Sequence, residues 1–98
     1  MKDLIKKNVD SCKSLMLEAE RWLWAHPQTG FTEWEADNYL SDKFTELGYT
    51  LTKAGNIPGF YTDVDTGIPG PTLCIMGELD ALDIAGHKEA VNGMSHAC

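Results

Sequence analysis

The sequence has few basic residues and no long apolar run. Its 98 residues include eight Lys and Arg against fifteen Asp and Glu, which gives a formal net charge of −7. A negative field of this size repels nucleic-acid phosphates and anionic lipid, so we expect neither nucleic acid nor a membrane as a partner. No apolar stretch approaches the roughly 18 residues that span a bilayer, and the first residues lack the apolar core of a signal peptide. We therefore expect a cytoplasmic protein.

Cysteine is also scarce, and the chain has no repeat, no low-complexity tract and no linker-like stretch. Cys12, Cys74 and Cys98 form an odd, widely spaced set, which does not suit a disulfide framework, so we expect reduced thiols. A chain of this length makes one small domain at most, and it buries only about 60–65% of its unfolded surface. The hydrophobic core of these residues alone should be marginal.

The amino-terminal part of the sequence has helical periodicity. Apolar residues recur every three or four positions from Ile5 to Leu23, which predicts one long amphipathic helix. The helix should end near His26, because Pro27 disfavours the α conformation in the residue before it.

A second helix is predicted to follow after a short connection. Thr32 and Glu35 have the spacing of a capping box, in which each side chain bonds a free N–H at the start of a helix. Gly48 suits the left-handed position just past the end of that helix. The sequence therefore predicts two consecutive helices within the first half of the chain.

The pattern after Gly48 changes to that of strands. Apolar and polar residues alternate at positions 49–51 and 60–64, which predicts two strands with one solvated face. Residues 73–76 form an unbroken apolar run, as expected for a strand that is covered on both faces. The predicted fold class is α/β, with two amino-terminal helices followed by three strands.

The last twenty residues are rich in side chains that carry chemistry. Glu78 and Asp80 alternate on the exit of the third predicted strand, so both carboxylates point to one side and could orient a metal ligand or bind a cation. His96 and Cys98 are two ligands that zinc, manganese or nickel accept. Spacing alone leaves the alternatives open: solvated loop acids, an ordinary histidine and an uncommitted thiol. His87 is placed less favourably than these four residues.

Three short motifs together resemble a known family. Residues 24–33 read Trp-Ala-His-Pro-Gln-Thr-Gly-Phe-Thr-Glu, which is similar to the His-Pro-Glu-x-Gly-Phe-x-Glu motif of metallopeptidase-like amidohydrolases. Residues 80–82 read Asp-Ala-Leu, and residues 96–98 resemble the start of that family's His-Ala-Cys-Gly-His-Asp/Asn metal motif. The family includes aminoacylase-type enzymes, indole-acetyl-amino-acid hydrolases and aminobenzoyl-glutamate hydrolases. Residues 77–82, Gly-Glu-Leu-Asp-Ala-Leu, are closest to the aminobenzoyl-glutamate hydrolase form.

The resemblance implies an architecture for the whole enzyme. Residues 1–98 would be the amino-terminal, incomplete part of the catalytic domain of a two-domain metallohydrolase. The parent enzyme would hydrolyse the amide bond of a small-molecule N-acyl amino acid or a related conjugate. The general base and the remaining metal ligands would lie beyond residue 98, so we expect the 98 residues alone to be inactive.

The resemblance also implies roles for individual residues. Cys98 would be a thiolate ligand of a divalent metal, and the parent would bind two such ions, of zinc, manganese or nickel. Asp80 would be a catalytic-site carboxylate that fixes the orientation of a ligand, with Glu78 and His96 as neighbours. Two ions would polarise the amide carbonyl and lower the pKa of a bridging water.

Two further hypotheses do not require an enzyme. The chain could be a stand-alone acidic interaction module that self-associates or binds a partner through open sheet edges around residues 73–76. It could also be a metal-binding thiol protein that uses Cys98, His96 and Asp80 together with ligands from a second chain. Because the third predicted strand has no cover on its second face, we expect a homo-oligomer.

Overall fold

Three helices precede a small hairpin in the computed structural model, which describes residues 1–84, 86–88 and 90. The elements are α1 (Lys2–Ser11), α2 (Lys13–Ala25), α3 (Trp34–Glu46), β1 (Thr52–Lys53) and β2 (Phe60–Tyr61). The mixed α/β character expected from the sequence is confirmed.

The prediction of one long first helix is wrong, because the helix is interrupted at Cys12. Cys12 has φ −93° and ψ 0°, and it separates α1 from α2. The hydroxyl of Ser11 donates to the carbonyl oxygen of Asn8 at 2.7 Å, which competes with the regular helical hydrogen bonds at this point. The end of α2 at Ala25 agrees with the stop that Pro27 predicted.

The capping-box prediction at Thr32 is also wrong, although the second predicted helix forms. The Thr32 hydroxyl donates instead to the carbonyl oxygen of Thr29 at 2.6 Å, and α3 begins two residues later, at Trp34. The helix ends at Glu46, and Gly48 follows with φ +98°, the left-handed conformation expected just past a helix end.

The first two predicted strands form an antiparallel hairpin. Thr52 pairs with Tyr61, and Lys53 pairs with Phe60. A backbone hydrogen bond of 2.8 Å from Ala54 N–H to the carbonyl oxygen of Gly59 closes the turn side of the pair. Each strand is shorter than the alternation suggested.

The third predicted strand is not confirmed. Residues 73–76 lie outside both strands, and the side chains of Leu73, Ile75 and Met76 are 83%, 89% and 88% exposed. An apolar run becomes a buried strand only where neighbouring strands supply hydrogen bonds and cover. The described part of the chain contains no strand beside this segment.

Aromatic contacts join α3 to its neighbours. The ring of Trp22 on α2 stacks on Tyr39 of α3, with 4.0 Å between centroids. Phe44 of α3 meets Phe60 of the hairpin edge to face at 5.5 Å. On the surface, the carboxylate of Glu18 lies 3.5 Å from the ammonium group of Lys43 and raises the pKa of that lysine.

The hydrophobic core of the described residues is thin. Their only fully buried apolar side chains are Ala36 and Ala81. The accessible surface is 7947 Å², against about 5,500 Å² for a compact monomer of this mass. The chain therefore exposes much more surface than a self-contained domain of its size. None of the helices in the described ranges is long and apolar enough to cross a membrane.

Candidate functional site

Two of the sequence motifs meet at Gln28 and Ala81. The backbone N–H of Ala81 donates to the main-chain carbonyl oxygen of Gln28 at 2.7 Å. Ala81 is 2% exposed, so this hydrogen bond is shielded from water. The segment that follows α2 thus lies directly against the Asp-Ala-Leu segment, as a shared site would require.

The side chain of Gln28 makes a second attachment, at the start of α3. Its amide oxygen Oε1 accepts hydrogen bonds from the backbone N–H groups of Glu35 and Ala36, at 2.9 and 3.1 Å. The first N–H groups of a helix have no partner within the helix, so Gln28 acts as the cap that the sequence had suggested for Thr32. One residue therefore joins the connecting loop, the start of α3 and the Asp-Ala-Leu segment.

The two candidate carboxylates differ in exposure. Asp80 is half-buried and immediately precedes Ala81, whose backbone is held by Gln28, whereas Glu78 is exposed. Glu78 borders a groove of about 610 Å³ that separates residues 72–79 from α3 and the hairpin. Asp80 is thus the better positioned of the two carboxylates.

The other candidate ligands, His96 and Cys98, lie outside the described residues. His87 is half-buried in a turn, where its backbone N–H donates to the carbonyl oxygen of Ile84 at 3.2 Å. In residues 1–84, 86–88 and 90, no three His, Cys, Asp or Glu side chains come together as a metal cluster. Asp80 and Glu78 offer oxygen donors that suit a divalent ion, but they do not complete a metal site by themselves.

A buried cluster around Asp37 was not predicted from the sequence. The Asp37 side chain is 1% exposed, and its Oδ1 forms an ion pair with Nζ of Lys53 and accepts a 2.9 Å hydrogen bond from the hydroxyl of Ser41. Its Oδ2 accepts the backbone N–H of Gly59 at 3.0 Å. Helix α3 is thereby fastened to both ends of the hairpin turn.

The surroundings of Asp37 favour its charged form. Burial by itself would raise the pKa of this carboxyl group. The hydrogen bonds from Lys53, Gly59 and Ser41, together with the positive charge of Lys53, outweigh burial and hold the pKa below its ordinary value. Nζ of Lys53 also donates to Oγ of Ser41 at 2.7 Å. An ammonium group paired with a carboxylate has no free lone pair with which to activate a serine, so the geometry indicates a structural role.

A weak signal for this cluster exists in the sequence. Asp37 and Ser41 are four residues apart, on the face of α3 that also carries Ala36 and Leu40. Two polar residues at this spacing on a buried face indicate a buried polar contact. Their partner, Lys53, lies on a strand, and the helical periodicity could not identify it.

Comparisons with known proteins support the resemblance to amidohydrolases. The chain is 27% identical over 99 residues, 96% of its length, to the Bacillus subtilis (strain 168) protein named "Putative amidohydrolase YhaA". It is 34% identical over 61 residues, 61% of its length, to a p-aminobenzoyl-glutamate hydrolase polypeptide of Escherichia coli (strain K12). These matches cover 25% and 12% of the two relatives, so the chain spans about a quarter of the first and an eighth of the second. No family model matches the chain, and no solved structure matches it.

Proposed function

We propose that these 98 residues are part of a metal-dependent amidohydrolase that cleaves the amide bond of N-acyl amino acids or related conjugates, such as aminobenzoyl-glutamate. The observation that carries the proposal is the contact between Gln28 and Ala81. It brings together two of the three segments that resemble amidohydrolase motifs, although they are far apart in the sequence. The names of the two relatives support the same class of reaction.

Within this proposal, Cys98 is a thiolate ligand of a divalent metal and Asp80 is the carboxylate that fixes the geometry beside it. Glu78 and His96 are neighbours of the site. The parent enzyme holds two ions, of zinc, manganese or nickel, which when bound polarise the amide carbonyl. Asp80 suits its role because it is half-buried and its successor in the chain is held by a shielded hydrogen bond.

The thin core supports the proposal that these residues work within a larger body. A surface of 7947 Å² and a buried apolar core of two alanines leave much to be covered by further protein. We therefore propose that the 98 residues alone have no turnover, because one thiolate and one carboxylate do not fix a catalytic metal. The acidic composition and the free, exposed Cys12 and Cys74 are compatible with the cytoplasm.

The reading frame of the source gene beyond the codon for Cys98 tests this proposal. We expect Gly-His-Asp or Gly-His-Asn to follow in frame, with further Glu and His codons downstream. A stop codon directly after Cys98 would remove the remaining ligands and the general base from this product, and the enzyme proposal would fail.

A second candidate function is self-association. Leu73, Ile75 and Met76 are almost fully exposed, and the two-stranded sheet has open edges. Unpaired edges beside apolar side chains promote pairing with a second copy of the chain. Sedimentation of the 98-residue protein at increasing concentration tests this: a dimer or larger species supports it, whereas a folded monomer at high concentration contradicts it.

A further inference from the structure

The structure assigns to Gln28 the role of a positioning residue: its side-chain bond to α3 holds the backbone bond to Ala81 in place and thereby sets the position of Asp80. This inference rests on the proposed function for its catalytic consequence. Its structural part, a coupling between the start of α3 and the Asp-Ala-Leu segment, can be measured without any activity.

The geometry gives Gln28 two independent attachments. The side-chain Oε1 is bound to α3 through the N–H groups of Glu35 and Ala36, and the main-chain carbonyl is bound to Ala81. The loop around Gln28 has no regular secondary structure of its own to fix it. Without the side-chain attachment, the carbonyl that receives the Ala81 N–H would move with the loop.

The surroundings explain why an acceptor of this length is needed. Ala36 is 1% exposed, so its N–H group could not find water in place of Oε1. A glutamate at position 28 would offer the same acceptor with a negative charge, which the positive end of α3 favours. A methionine at position 28 would keep the length and lose the acceptor, so the two substitutions separate packing from hydrogen bonding.

The test is hydrogen exchange of backbone amides in the product of the complete gene, comparing the wild type with Gln28→Met and Gln28→Glu. We expect Gln28→Met to accelerate exchange at Glu35 and Ala36, and also at Ala81, by roughly five- to thirty-fold. Gln28→Glu should keep all three amides protected. Circular dichroism of each variant shows whether the overall fold is retained.

Faster exchange at Glu35 and Ala36 with unchanged protection of Ala81 would overturn the inference, since Gln28 would then be a local helix cap only. Equal acceleration in Gln28→Glu and Gln28→Met would also overturn it, because hydrogen bonding would not be the cause. In the hydrolysis assay, we expect Gln28→Met to lower kcat more than it changes KM, and Gln28→Glu to restore kcat. If the gene product hydrolyses no amide at all, the proposed function fails while the exchange result still decides the coupling.

Discussion

The carbonyl oxygen of Gln28 accepts the backbone N–H of Ala81 at 2.7 Å, although the two residues belong to segments separated by all of α3 and the hairpin. Ala81 is one of only two fully buried apolar residues in the described part of the chain. The best-packed point of the described fold therefore lies directly beside Asp80, the carboxylate that we place in the active site.

Enlarging the side chain at position 81 should disturb this junction. We expect Ala81→Leu to lower the free energy of unfolding by about 1–3 kcal/mol, because a buried site has no room for three extra carbons. Chemical denaturation measures the change. The same substitution at Ala25, an exposed residue at the end of α2, should change stability by no more than about 0.5 kcal/mol. Equal effects at both positions would show that the junction is loosely packed.

Removing the charge of Asp37 should loosen the hairpin from α3. We expect Asp37→Asn to cost about 1–3 kcal/mol of unfolding free energy at neutral pH, because Lys53 loses its charged partner. Asp42→Asn, an exposed change on the same helix, is the control for the loss of one negative charge and should cost much less.

The pH dependence of the same variant follows from the lowered pKa of Asp37. A carboxyl group with a lowered pKa in the folded state contributes its full stability above its ordinary pKa of about 4, and loses it as the pH falls through the folded-state pKa. The stability difference between wild type and Asp37→Asn should therefore be constant above about pH 5 and shrink below about pH 4. Denaturation curves from pH 3 to 7 measure it. A difference that grows on acidification would contradict this account.

The stack of Trp22 should contribute to the contact between α2 and α3. Its ring lies between His26 at 4.1 Å and Tyr39 at 4.0 Å, and such ring pairs contribute about 0.5–1.5 kcal/mol each beyond their buried area. We expect Trp22→Leu to destabilise the protein and to reduce its near-ultraviolet circular dichroism. Trp24→Leu is the matched control, because Trp24 lies on the same helix and is 42% exposed. Similar losses in both variants would argue against a specific stack.

The two neighbouring carboxylates at positions 80 and 83 should behave differently in the complete enzyme. We expect Asp80→Asn to lower kcat by at least about tenfold, because a charged group that orients a ligand is lost. Asp83 is exposed, and Asp83→Asn should leave kcat within about twofold. Initial rates with an N-acyl amino acid substrate measure both. Full activity of Asp80→Asn would remove that residue from the site.

The local signals in the sequence predicted the helices and the hairpin well, since each depends on neighbouring residues. Pro27 indicated the end of α2, and Gly48 the end of α3, because their backbone preferences act locally. The cap at Gln28 was missed because its side chain reaches α3 from outside the usual capping positions. The ion pair between Asp37 and Lys53 was missed because it joins a helix to a strand, and no periodicity links the two.

The predicted strand at residues 73–76 shows a different limit of sequence analysis. Its apolar run describes a segment that needs cover on both faces, but the run does not contain the neighbours that would supply it. In the described part of the chain this cover is absent, and Ile75 is 89% exposed. The predicted ligand Cys98 lies outside the described residues, so its role stays a prediction.

The most direct test of the proposed function is metal-dependent amide hydrolysis by the product of the complete gene. The purified enzyme would be assayed for release of free amino acid from aminobenzoyl-glutamate and a panel of N-acyl amino acids, before chelation, after chelation and after zinc, manganese or nickel is restored. We predict hydrolysis of at least one substrate, its loss on chelation and its return with metal. Absence of hydrolysis across the panel in metal-loaded protein, or full activity after the metal has been removed, would contradict the account.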